Sequence, residues 1–238
     1  MSVVEHIDEF RYRILISLAA FMVGMIVSFI FYRPILELMM RPLDEANRLG
    51  DVEVKDVFVP GVTGPFMLRL RVSAFAGLLF ALPVLLFQLW RFITPGLHSN
   101  EKRYAIPFVG SSLGLFALGA WFAFLVLPTG VRFLLSFVEP GLQQPFITFQ
   151  DYLSFIIFMI LAFGITFEFP ILLVFLSLVG IVTSRRLRKW RRYALLGVFV
   201  VAAVATPSQD PFSQIAMAAP LYILYEASIL VIRFALKR

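Results

Sequence analysis

The sequence predicts an all-α, polytopic membrane protein, and three observations carry that prediction. Of its 238 residues, 60% are hydrophobic and only 15% are charged, with a mean hydropathy of +0.89. A water-soluble domain of this size needs far more charge on its surface. Apolar stretches recur at about the 20-residue length that crosses about 30 Å of hydrocarbon. Between them, lysines and arginines gather in alternate connecting segments, as in a chain oriented by its positive charges.

The opening segment, MSVVEHIDEFRYR, is polar and of mixed charge. No small-residue cleavage site follows the first apolar run, so that run reads as a permanent span and not as a removed signal. Ile14–Tyr32, Val72–Ile93 and Ile106–Pro128 are clear spans. Leu153–Val182 is over-long: at ~1.5 Å per residue it reaches about 45 Å, so tilt or a kink is expected. Pro170 is the candidate kink, because it removes a helix hydrogen bond and crowds the carbonyl four residues back.

The last third differs. Ala194–Thr206 is short, and PSQDP then turns the chain. Phe212–Ile232 is interrupted by Gln214, Pro220 and Glu226, and its uninterrupted part, Ile215–Tyr225, spans only ~17 Å as a helix. These two segments are expected to form a short helical hairpin across a locally thinned bilayer, a re-entrant pair being the competing arrangement. The expectation is six transmembrane helices in one domain covering residues 1–238, the last two short and both termini on one side.

Most of the 21 Lys and Arg lie on that side. They are Arg11 and Arg13; Arg91, Lys102 and Arg103; Arg185, Arg186, Arg188, Lys189, Arg191 and Arg192 of SRRLRKWRR; and Arg233, Lys237 and Arg238. Both termini are therefore expected to be cytoplasmic. SRRLRKWRR could suggest nucleic acid, acidic lipid or a twin-arginine export signal. It sits between two spans, where a retention cluster is what topology requires. On the opposite side the connections are longer. PILELMMRPLDEANRLGDVEVKDVFVPGVTGP has both charge signs and a helical start. Thr148 with Asp151 resembles a capping box opening the fourth span.

The chain has no cysteine, which excludes disulfide and thiol chemistry, and its two histidines, His6 and His98, are too far apart in sequence to suggest a metal site. No phosphate-cradling glycine-rich loop is present, and no Ser/His/Asp set or carboxylate pair stands out. An enzyme is not expected, nor a cofactor. Four polar clusters remain: Glu5–Arg13 at the start of span one, Gln88–Arg103 after span two, Glu168 inside span four, and Thr206–Gln214 between the short helices. On a helix, Glu9 and Arg13 are four residues apart and could pair with each other.

Together these clusters resemble the TatC family, the multi-span core of the twin-arginine protein translocase. The resemblance covers essentially the whole chain. His6, Glu9, Arg11 and Arg13 match its N-terminal motif. Trp90, Phe92, Pro95, Leu97, Glu101, Lys102 and Arg103 match its first loop. FGITFEFP, from Phe163 to Pro170, matches its intramembrane motif. One departure occurs in the external turn, where Thr206-Pro207 is followed by Ser208-Gln209 before Asp210; the spacing from Asp210 to Gln214 is as expected.

The resemblance implies a concave, glove-like fold and a receptor for export signal peptides that carry two adjacent arginines. It implies signal-peptide binding at Glu9, Arg11, Phe92, Glu101 and Arg103. It further implies TatA- and TatB-type single-span partners, self-association in a larger complex, no nucleic acid, a location in the cell membrane, and export of folded cargo driven by the proton-motive force. The chemistry agrees: neighbouring side chains of an extended segment point to opposite faces, so two arginines need two acceptors. Guanidinium pairs with carboxylate in a bidentate geometry that lysine reproduces poorly.

Glu168 is the one ionisable side chain between Leu153 and Val182. A charge at bilayer depth costs about 2.5–3.5 kcal/mol or more. It is therefore protonated, faces a wet concavity, or bonds to a partner helix. The resemblance favours the last two, with Glu168, Thr206 and Gln214 contacting single-span partners and Asp210 in the external turn. A stabilising tie to a hydroxyl or to a carbonyl freed near Pro170 is the plain alternative. The rival from another class is a proton-coupled small-solute transporter with Glu168 as proton carrier. That rival predicts inverted repeats and paired broken helices in corresponding halves, and the sequence has neither.

Overall fold

The computed structural model describes residues 3–49, 54, 57–93, 105–139, 146–205 and 211–234. In chain order these form α1 (Val3–Ile30), α2 (Tyr32–Leu49), β1 (Val57–Phe58), α3 (Gly64–Ile93), α4 (Ala105–Leu135), β2 (Ile147–Thr148), α5 (Phe149–Phe167), α6 (Phe169–Leu178), α7 (Ser184–Lys189), α8 (Arg191–Ala205) and α9 (Pro211–Phe234). Among the described residues, five stretches are long and apolar enough to cross a membrane: Glu5–Ile30, Gly64–Ile93, Ile106–Leu135, Phe149–Leu178 and Ser213–Phe234. Only 11% of the apolar part of α1 is buried against the rest of the chain, and Leu15, Met22, Val23 and Ile26 are exposed on it. In water that face would be untenable; against acyl chains it is ordinary. The chain is a multi-pass, all-α membrane protein.

α8 is short, as expected: its 15 residues reach ~22 Å. α9 is longer than its apolar centre predicts. It runs 24 residues with Pro220 inside it. Proline is tolerated in membrane helices because neighbouring groups take up the freed carbonyl.

The chain divides into two compact units, one of Met1–Met40 with Val59–Leu113, the other of Arg41–Phe58 with Gly114–Arg238. In the first, α1 and α3 lie side by side. Arg13 meets Gln88, Gly24 meets Gly77, and Phe29 and Tyr32 meet Arg69. Partner numbers rise along α1 as they fall along α3, so the helices are antiparallel. The glycines let the backbones touch: a Cβ on Gly77 would lie 2.5 Å from the Met25 nitrogen. One turn further on each helix, Ser28 and Ser73 are fully buried. Each helix thus offers two small residues four apart, the spacing that allows close approach in lipid, where the hydrophobic effect does not drive helices together. At the far end, Arg69 Nη2 donates to the Phe29 carbonyl at 2.9 Å, and its guanidinium lies 4.2 Å from the Phe29 ring centre. Trp90 Nε1 donates to Ser112 Oγ at 3.2 Å and its ring stacks on Phe108, tying α3 to the start of α4.

In the second unit, β1 and β2 form a two-residue parallel ladder, Val57 beside Ile147 and Phe58 beside Thr148. Thr148 then caps α5, its side chain accepting from the Asp151 N–H at 3.1 Å, as the capping spacing predicts. The buried Leu43 N–H of α2 donates to Tyr152 Oη at 3.1 Å, anchoring α2 on α5. α5 gives way to α6 at Glu168. Pro170 has no N–H for the Thr166 carbonyl, and the chain tightens there, with Glu168 N–H donating to Ile165 O at 3.1 Å. α6 ends in a left-handed Gly180 (φ 86°), which lets Ile181 and Gly180 donate to the carbonyls of Leu176 and Ser177. Leu173, Val182, Leu187, Tyr225, Ile229 and Ile232 then pack α6, α7 and α9 into a common core. Tyr225 Oη donates to the Leu187 carbonyl at 2.8 Å, and Glu226 pairs with Arg191 at 2.6 Å.

Candidate functional site

Among the described residues, polar chemistry meets a concavity at two places, one in each unit. The first is where the N-terminal turns of α1 lie beside the last turns of α3. Glu9 and Arg13 are one helical turn apart, and they pair. Arg13 Nε donates to Glu9 Oε1 at 3.1 Å, and Arg13 Nη2 is bonded to the same oxygen. Arg13 Nη1 donates across to Gln88 Oε1 at 3.2 Å. The Glu9 and Arg13 side chains are 18% and 12% exposed, so the pair is screened from water far better than a surface salt bridge.

The second Glu9 oxygen, Oε2, is buried and accepts no hydrogen bond among the described residues; His6 Nδ1 stands 4.0 Å from it. His6 in turn lies nearly parallel to Phe92, with ring centres 4.4 Å apart and 18° between planes, and Phe10 tilts against Phe92 with ring centres 5.3 Å apart. Beside this cluster opens an apolar cleft of about 320 Å³ between α1 and α3, with Arg13, Gln88 and Phe92 on its wall. A carboxylate with one oxygen held and one buried without a hydrogen bond among the described residues, next to an aromatic platform and an apolar cleft, is suited to a cation flanked by apolar groups.

Of the residues singled out from sequence, Glu9 and Phe92 are therefore brought to one place, and Arg11 is exposed on α1. Glu101 and Arg103 lie outside the described residues, as do Thr206 and Asp210. Gln88 was missed. The signal was present: it is the lone polar residue in VLLFQLW, one turn before Phe92.

The second place is the α5–α6 junction. Glu168 is half-buried there and lines a cleft of about 670 Å³. Ile165, Thr166, Phe169 and Leu172 form one wall, while α8 supplies Gly197, Val198 and Val201 and α9 supplies Leu221. The lining is apolar apart from Glu168 and Thr166, whose Oγ1 donates back to the Ala162 carbonyl at 2.5 Å. Gln214 lies on the first turn of α9, about two turns before Leu221, and is partly exposed. The cleft has the dimensions of a small-ligand pocket. Its carboxylate stands in the middle of a 30-residue apolar stretch.

Comparison with known proteins shows the family. Residues 5–220 match the family model described as Sec-independent protein translocase protein (TatC). The TatC protein of Frankia casuarinae is 42% identical, the alignment covering 97% of this chain and 65% of that relative. That of Aquifex aeolicus is 37% identical over the whole of this chain and 97% of its own length. Two crystal structures described as the twin-arginine translocase receptor TatC, one of them in the detergent DDM, superimpose with TM-scores of 0.76 and 0.78 at 37% identity. They cover 97% and 95% of this chain and 99% of their own. These relatives are translocase proteins and not solute carriers, so the proton-carrier reading of Glu168 is not favoured. The chain belongs to the TatC family of Sec-independent protein translocase proteins.

Proposed function

We propose that this chain is the receptor and scaffold subunit of a twin-arginine translocase, binding signal peptides at its cytoplasmic face. The observation that supports the reading is the juxtaposition of Glu9, whose Oε2 accepts no hydrogen bond among the described residues, and the Phe92 ring at the edge of an apolar cleft. One signal arginine pairs with Glu9 and the other with Glu101, while Phe92 and the cleft take an apolar side chain beside them. Arg11 and Arg103 border the same face. Charge-assisted guanidinium–carboxylate bonds away from bulk water supply the selectivity for arginine over lysine.

Glu168 and its cleft receive a single-span partner helix of the TatA or TatB type, with Gln214, Thr206 and Asp210 contributing on the opposite side of the membrane. Small and polar residues at such a contact act through close packing and interhelical hydrogen bonds. The chain performs no covalent chemistry; cargo crosses folded, driven by the proton-motive force, with both termini cytoplasmic and the chain in the cell membrane. It spans the membrane six times, α8 crossing where the bilayer is thinned.

Export tests this reading. A folded reporter with a twin-arginine signal is expressed in a bacterium lacking its own TatC but supplied with this chain and its single-span partners. Export is expected with the unaltered chain and is expected to fail with Glu9→Gln combined with Glu101→Ala. Undiminished export by the double variant would overturn the assignment of the acceptors.

A further inference from the structure

Gln88 is buried, being 8% exposed, in an otherwise apolar stretch of α3. Its Oε1 accepts from Arg13 Nη1, while the other two nitrogens of that guanidinium fork donate to Glu9 Oε1. The three side chains form one relay across the α1–α3 seam. Its outcome is a fixed Glu9 rotamer, with Oε1 engaged and Oε2 turned to the His6–Phe92 stack. Neither Glu9 nor Arg13 alone fixes that direction, because a long ion pair on one helix face has many geometries. The third point of attachment, on a different helix, removes that freedom.

We propose that Gln88 is the positioning residue that makes the Glu9 acceptor selective for arginine over lysine; this rests on the receptor reading given above. The physical basis is the difference between the two cations. Guanidinium is a planar fork whose bond strength depends on the direction of the acceptor, whereas ammonium is a compact charge with three rotatable donors. An acceptor fixed in direction rewards the fork. An acceptor free to swing attracts both cations by charge alone. Removing Gln88 leaves the charge of Glu9 untouched and removes only its orientation. Selectivity therefore falls without loss of lysine binding.

The test uses the full chain in nanodiscs and two fluorescent signal peptides, Arg-Arg and Lys-Lys, otherwise identical. Gln88→Leu is expected to weaken Arg-Arg binding by roughly tenfold, about the worth of one charge-assisted hydrogen bond. Lys-Lys binding is expected to stay unchanged. Gln88→Glu, which keeps an acceptor for Arg13, is expected to retain the Arg-Arg to Lys-Lys ratio even though its added charge raises both affinities. A ratio unchanged in Gln88→Leu would overturn the proposal, as would equal weakening of both peptides with the ratio kept. If Gln88→Leu does not fold, the ratio in Arg13→Gln decides: a reduced ratio supports the relay and an unreduced one overturns it. Glu9→Gln separates the two levels of the argument. If it leaves Arg-Arg binding intact, the receptor reading of Glu9 fails; if it weakens binding while Gln88→Leu keeps the ratio, only the relay fails.

Discussion

Gly24 and Gly77 meet face to face where α1 passes α3, close enough that a Cβ on Gly24 would lie 2.6 Å from the Gly77 carbonyl oxygen. Side chains essentially never approach a backbone oxygen so closely, so neither position tolerates a larger residue without parting the helices. The contact lies between the polar tie at Arg13–Gln88 and the tie of Arg69 to the Phe29 carbonyl, on the same pair of helices. The Glu9 site is thus held by a seam whose register is fixed at both ends and at the crossing.

Gly77→Val is therefore expected to destabilise the protein by about 1–3 kcal/mol, the range for overpacking a close contact. Gly110→Val is the control, because a Cβ at Gly110 meets nothing within 4 Å. Thermal unfolding in detergent followed by circular dichroism checks this, and equal melting of the two variants would contradict the seam.

Tyr225→Phe removes the hydroxyl that donates to the Leu187 carbonyl at 2.8 Å in the core shared by α6, α7 and α9. The Leu187 carbonyl keeps the Trp190 N–H at 2.9 Å, so the expected cost is that of one hydrogen bond, about 0.5–1.5 kcal/mol. Glu226→Gln, by contrast, loses a pair with Arg191 whose side chains are 30% and 48% exposed, and is expected to cost under about 1 kcal/mol. Hydrogen exchange over α7 reads the difference: protection should fall in Tyr225→Phe and hold in Glu226→Gln.

Much of this was legible in the sequence, and the rest was hidden for identifiable reasons. The Glu9–Arg13 pair follows from a spacing of four on a helix, the α5 cap from Thr148 and Asp151, and the break at Glu168 from Pro170. Each is a local rule that needs no tertiary information. The meeting of Phe92 with His6 and the relay through Gln88 depend on the register of two helices far apart in sequence. Gly24 with Ser28, and Ser73 with Gly77, carry that register in plain sight, but small residues four apart are common enough to pass unnoticed. The full length of α9 is not legible in its hydropathy, because Pro220 and Glu226 interrupt the apolar run. In a membrane helix Pro220 is absorbed, and Glu226 finds Arg191.

Glu168→Ala is expected to separate the two roles assigned to the chain. Co-purification with TatA- and TatB-type subunits, or export itself, should drop sharply, while Arg-Arg peptide binding stays within about twofold of the unaltered chain. The reason is position: Glu168 lines the α5–α6 cleft, whereas the Glu9 cluster belongs to the other unit. Equal loss of partner assembly and peptide binding would sink this division of labour.

The most direct test of the receptor claim is binding of a twin-arginine signal peptide to the chain alone in nanodiscs, with a twin-lysine peptide as control and both repeated on Glu101→Ala. Tighter binding of Arg-Arg, with the difference reduced by Glu101→Ala, is the expected result. Binding of neither peptide, or equal and salt-sensitive binding of both, would contradict it.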